Sequence, residues 1–203
     1  MALIKLNDRA VSNATTFGSI SSLGEMKFIS KATASSSASI EFSLGDYKEY
    51  QFYFVDIHNG DASQVDFQFN LSIDNGSNYN VVKTSTNFYA FNSEPGYGNE
   101  SLAYGSSDDL AQSTDYQNIT SFPLGNANDD CLAGFMSLYN PSSNVYVKHF
   151  TGRSHQSEGD SNFYTNDTFF AGYGNTTSPV TNIKFQMSSG NIDAGSILMF
   201  GIN

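Results

Sequence analysis

Apolar residues recur at every second position through much of the chain, and helical spacing hardly occurs. "SIEFSL" sets Ile40, Phe42 and Leu44 on one side. "YQFYFVDI" sets Tyr50, Phe52, Phe54 and Asp56 on one face and Tyr53, Val55 and Ile57 on the other, which reads as a central strand. "VDFQFNLSI" alternates through Val65, Phe67, Phe69, Leu71 and Ile73, with Asp66, Gln68, Asn70 and Ser72 outward; "DNGSN" then supplies Asn-Gly turn chemistry suited to positive φ. Further strands are expected at "NVVKT", "NFYAF", "ITSFPL", "AGFMSLYN", "NVYVKHFT", "DTFFAGY", "TNIKFQM" and "SILMFG". Roughly ten to twelve short strands separated by turn signals predict an all-β fold, an antiparallel, jelly-roll-like β-sandwich.

Several joins can be read as well. "YNPSSNVYV" turns through Asn140-Pro141-Ser142-Ser143, which makes the strands around Met136 and Val147 antiparallel neighbours. The Ser-rich "SKATASSSASI" suits a hairpin between Phe28 and Ile40. Residues 92–115 are Gly-rich and without a clear period, the pattern of a long functional or mobile loop. At the end of the chain, "NIKFQM" has one wet face and Ile192 folds inward between two bends. "SILMFGI" is apolar on both faces and needs cover on both, from the sandwich or from a neighbouring subunit.

The chain has 203 residues, of which 39% are hydrophobic and only 14% charged, so one domain with a sizeable core is expected, with the flavour of an extracellular β protein. Yet the N-terminus has no apolar signal-peptide core, and no stretch approaches the roughly 20 apolar residues of a membrane span. Cys131 is the single cysteine, so no intrachain disulfide forms, and "CLAGFMSLY" makes it most simply a small core residue. A protein of extracellular character made in a cytoplasm without an export signal fits release by lysis, as for a virion protein. The net charge of -11 disfavours nucleic acid and anionic membranes as partners. No Lys or Arg falls between Lys83 and Lys148, whereas Glu94, Glu100, Asp108, Asp109, Asp115, Asp129 and Asp130 do, which gives that section a negative field.

No catalytic motif emerges. His58, His149 and His155 sit in no nucleophile signature. Asp108, Asp109, Asp129 and Asp130 would allow paired-carboxylate glycoside cleavage only if two of them converge; acids in polar loops are usually solvated. "DIHNGD" (Asp56, His58, Asp61) and "NANDD" (Asn126, Asn128, Asp129, Asp130) have oxygen-rich character suited to calcium, but Asx turns explain both without a metal, so no metal and no cofactor is expected. The aromatic residues are more suggestive. Tyr97, Tyr104 and Tyr116 in or beside the long loop, and Phe163 and Tyr164 in "GDSNFYTND", are candidates for partner or receptor contact, as exposed rings with apolar faces that suit sugars or proteins. Subunit contact and local packing are the alternatives for these rings.

The segments "MALIKLNDRAV", "KFISKATASSSASIEFSLGDYKEYQFYFVDIH", "LYNPSSNVYVKHF" and "IKFQMSSGNIDAGSILMFGI" together resemble virion structural proteins of marine bacteriophages, of the kind infecting cyanobacteria and other abundant ocean bacteria. The resemblance spans most of the chain and is one of pattern. It implies a non-enzymatic virion protein: a docking arm over residues 1–24, with Leu3, Ile4 and Leu6 as virion-docking residues, and a β-sandwich body over residues 25–203. It implies other virion proteins as partners, a homo-oligomer with a trimer favoured, and contact with a host-surface glycan as part of a tail fibre, appendage or capsid fibre. A capsid decoration or cement protein and a glycan-binding, lectin-like module are the alternatives. The absence of internal repeats favours a compact body over a fibre shaft.

Overall fold

The computed structural model describes residues 26–93, 100–158 and 164–203. In chain order the described strands are β1 (Lys27–Thr33), β2 (Ile40–Ser43), β3 (Glu49–Asn59), β4 (Phe67–Ser72), β5 (Lys83–Ser93), β6 (Ser101–Tyr104), β7 (Gln117–Asn118), β8 (Leu132–Tyr139), β9 (Lys148–Glu158), β10 (Tyr164–Gly174), β11 (Asn182–Met187) and β12 (Ile192–Ile202). They form an eight-stranded sheet, β1-β12-β3-β8-β9-β10-β5-β6, and a four-stranded sheet, β2-β11-β4-β7. Every pair is antiparallel, and the chain repeatedly crosses from one sheet to the other, as in a jelly roll. The docking residues Leu3, Ile4 and Leu6 lie outside the described residues.

The sandwich closes on rings. Phe185 of β11 has Phe42, Phe52, Phe54, Phe67 and Phe69 within 5.3–6.3 Å, ring centroid to ring centroid. All of these side chains are buried, so inward-facing apolar positions from both sheets form one core. The alternation read in "SIEFSL" and "NIKFQM" holds, with Ile40 and Phe42 paired to Phe185 and Ile183. The turn after β4 has Asn75 and Gly76 at positive φ, as Asn-Gly chemistry predicts.

Other expectations change. The Ser-rich segment is not a hairpin: β1 pairs with β12 in one sheet and β2 with β11 in the other, so residues 34–39 carry the chain between sheets. Ile57 points into the core rather than outward. Asp56, at φ 52°, is an extra residue on β3 relative to both neighbours, and this bulge resets the alternation. Gly195 faces that bulge at φ +105°, where a Cβ would collide with the Asp56 carbonyl. Asn70 and Ser72 are buried, because the chain after β4 folds over them and Asn70 Nδ2 donates to the Tyr79 and Thr114 carbonyls. "ITSFPL" is not a strand; it crosses the inner face as irregular backbone. The long loop contains a strand, β6, and Cys131 is half-buried rather than in the core.

The final strand lies one place in from the sheet edge, between β1 and β3. Ile197 and Met199 fill the core, and on the other face Phe200 is covered by Phe28 and Tyr53, with ring centroids 5.5 and 5.6 Å away. Cross-strand rings therefore give the outward cover that a neighbouring subunit could also have given.

Candidate binding face

The outer face of the eight-stranded sheet has a row of large side chains in cross-strand register. Lys31 of β1 pairs with Leu198 of β12, Leu198 with Tyr53 of β3, and Tyr53 with Phe135 of β8. Phe135 pairs with Arg153 of β9, Arg153 with Phe169 of β10, Phe169 with Phe88 of β5, and Phe88 with Tyr104 of β6. The row crosses all eight strands. Phe135 and Phe88 are each 44% exposed and Tyr104 is 55% exposed, so these rings lie on the surface rather than beneath it.

Local contacts fix their orientation. Phe88 stacks on Phe169 at 4.8 Å with planes 5° apart, a cross-strand aromatic pair. The Arg153 guanidinium lies 4.8 Å from the Phe169 centroid and donates to both Asp167 carboxylate oxygens, from Nε at 2.8 Å and Nη2 at 2.7 Å. That fork aims the cation over the ring and offsets its charge. The Tyr104 hydroxyl donates to Asp109 Oδ2 at 2.6 Å. On one flank the outward positions carry Thr86, Thr151, Gln51 and Ser137, a neutral polar border, and on the other Ala90, Asp167, His155 and Ala133.

Of the rings singled out by sequence, Tyr104 stands at the end of this row. Tyr164 is not a loop residue: it opens β10, half-buried, its ring 5.5 Å from Phe91 and 6.3 Å from Phe122. Tyr116 is half-buried beside β7, away from the row. Tyr97 and Phe163 lie outside the described residues. Sequence reading missed Phe88, Phe135 and Phe169. The signal for them was there, since "NFYAF", "GFMSL" and "DTFFAGY" each put two large apolar residues side by side, one for each face.

Titratable groups sit elsewhere. Lys83 is fully buried on the inner face, where Nζ donates to Asn70 Oδ1 at 2.6 Å and to the Val81 carbonyl at 2.9 Å; burial pulls its pKa down to about 7, opposed by the charge of Asp115. Asp108 is buried and accepts from Asn118 Nδ2 at 2.9 Å; burial lifts its pKa to about 6. Among the described residues no three His, Cys, Asp or Glu side chains converge to hold a metal. Asp61 accepts from the Ser63 amide, the bond of an Asx-type turn, and Asp130 accepts from the Ala127 amide three residues before it. Among the described residues no helix is long and apolar enough to cross a membrane.

No protein-family model matches the chain, and no curated protein matches it either.

Proposed function

We propose that the chain is a non-enzymatic structural module of a bacteriophage virion, a β-sandwich displayed on the particle surface as part of a tail fibre, appendage or capsid fibre, that makes its contacts through the outer face of the eight-stranded sheet. The observation that carries the contact role is the row from Tyr53 to Tyr104: exposed aromatic rings aligned across a sheet and bordered on one flank by neutral polar groups mark an interaction surface. The virion assignment rests on the likeness of the four sequence segments to marine phage virion proteins. A homo-oligomer, with a trimer favoured, belongs to the same reading, closed cyclic assemblies being the rule for homomeric proteins; light scattering on the eluting protein tests it, and a stable monomer counts against it.

Immunogold labelling of intact particles of the phage that encodes the chain tests the main claim. Label at the tail or at capsid fibres is the expected result. Label spread evenly over the capsid lattice favours a decoration protein instead. Unlabelled particles that also lack the chain by mass spectrometry overturn the reading.

A further inference from the structure

Beside the aromatic row the outer face is concave. On β10 the outward positions run Phe169, Ala171, Tyr173, and the small Ala171 is flanked in register by Thr86 of β5 and Thr151 of β9. Tyr173 is flanked in the same way by Thr84 and His149. These six side chains leave a depression of ≈ 400 Å³, within the range of about 300–1,000 Å³ typical of small-ligand sites. Ala171 forms its floor, and the Tyr173 and His149 rings, 6.1 Å apart, form a wall. No described residue covers it.

Its chemistry is specific. No carboxylate, lysine or arginine lines the depression, although the chain as a whole carries a charge of -11. The hydroxyls of Thr86 and Tyr173 and the His149 imidazole make no hydrogen bond to any described residue, so they remain available to a ligand. Thr84 and Thr151 already engage Gln112 and Tyr139 but keep acceptor capacity. One outward position further along β10 lies Phe169, stacked on Phe88 and beneath the Arg153 guanidinium, and the exposed Phe88 ring beside it offers a second apolar surface.

An uncharged site that combines ring faces with free hydroxyls fits a ligand with apolar C–H faces and a rim of hydroxyls. It gives no counter-charge to an anionic polymer, which the acidic chain also repels, and a second copy of the same chain brings a like field with it. We propose that the depression is a binding subsite for a neutral polysaccharide, with one sugar seated over Ala171 against Tyr173 and His149 and the next packed against the exposed Phe88 ring. The proposal deepens the reading of this face as the contact face and rests on it.

Native affinity electrophoresis of the full chain through gels containing laminarin, dextran or galactomannan tests it, with anionic alginate as the control. Retardation by at least one neutral polymer is expected. Ala171→Phe, which fills the depression, and Tyr173→Ala, which removes the wall, should each weaken that binding by about ten-fold while the unfolding transition stays cooperative. Thr86→Val, an exposed change that leaves the sheet intact, should weaken it by a smaller factor. Migration unchanged by all three neutral polymers overturns the proposal, as does retardation that survives Ala171→Phe, or retardation by alginate alone. A dimer in light scattering that Ala171→Phe dissociates also overturns it, in favour of a subunit interface. Failure here leaves particle labelling untouched, and unlabelled particles leave sugar binding untouched, so the two readings fail separately.

Discussion

Strands β12, β3 and β8 send Ile197, Met199, Phe52, Phe54, Met136 and Leu138 into the core, whereas β9, β10 and β5 of the same sheet bury Ser154, Gln156, Asn166, Thr168 and Asn87 alongside Phe150 and Phe170 and hold Phe169 and Phe88 outward. The difference follows from what each half faces. The first half faces the strands of the small sheet, whose backbone groups are already paired, so it can offer plain apolar side chains. The second half is covered largely by chain around residues 110–122 that is regular only at the short β7, and there the Ile119 and Phe122 carbonyls and the Ser121 amide find no partner in a ladder. Inner-face side chains take the ladder's place. Ser154 Oγ donates to the Ile119 carbonyl at 2.6 Å and Gln156 Nε2 to the Phe122 carbonyl at 2.9 Å, while Thr168 Oγ1 accepts from the Ser121 amide at 3.2 Å. Polarity inside is thus the consequence of irregular cover: Phe150 and Phe170 reach the core against Phe69, while Phe169 and Phe88 stand outside.

The comparison can be broken first at the strand that closes the apolar half. Deleting residues 196–203 removes the pairing of β12 with both β1 and β3 from Ser196 onward, and no soluble, cooperatively unfolding protein is expected. A truncated chain that stays soluble with a sharp thermal transition would show that the apolar half does not depend on its last strand. Within that half, Phe185→Ala should cost about 3–5 kcal/mol in urea unfolding, because one ring contacts five others and the void cannot collapse.

Next in size comes the buried cation of the polar half. Folded Lys83 gives up its proton near pH 7, whereas in the unfolded chain it does so near 10.5. Between those values the unfolded state binds more protons, so stability should rise with pH through this window, by about 2–4 kcal/mol, and Lys83→Met should remove most of the rise, leaving the smaller part that comes from Lys148, whose pKa burial also lowers. Denaturant midpoints at pH 7 and pH 10 that coincide in the parent chain would refute it. Ser154→Ala, which leaves the Ile119 carbonyl without its buried donor, should cost about 1–3 kcal/mol. A neutral result there would mean that the irregular cover holds its place without side-chain bonds.

How much of this the chain discloses depends on the half. The small sheet that covers the apolar half is legible because period two survives along β2, β4 and β11, where each Phe or Ile at an alternate position is buried. Legibility stops at Ile57, since nothing in "FVDIHN" marks Asp56 as the bulge that flips the following residues. Asn70 of the small sheet and Gln156 of the polar half read as surface positions, because their burial depends on carbonyls brought from 9 to 44 residues away. The binding face was half legible: the adjacent pairs Phe88–Tyr89, Phe135–Met136 and Phe169–Phe170 announce strands apolar on both sides, but only the register aligns their outward members into one row.

The smallest expected effect is the most discriminating. Phe88→Ala removes a ring as large as that of Phe185, but one that is 44% exposed and stacked against a single neighbour, Phe169. If the row is a surface held for a partner, its rings add less to folding than core rings do, and the variant should lose about 1 kcal/mol, mainly the stacking on Phe169. The ring keeps much of its water contact in the folded state, so truncation forfeits little burial and leaves no closed cavity. A loss approaching that of Phe185→Ala would mean that Phe88 is covered in the folded protein and that the outer row belongs to the core. A loss near 1 kcal/mol for Phe88→Ala, set beside one of about 3–5 kcal/mol for Phe185→Ala, would separate rings that hold the sandwich from rings that it displays.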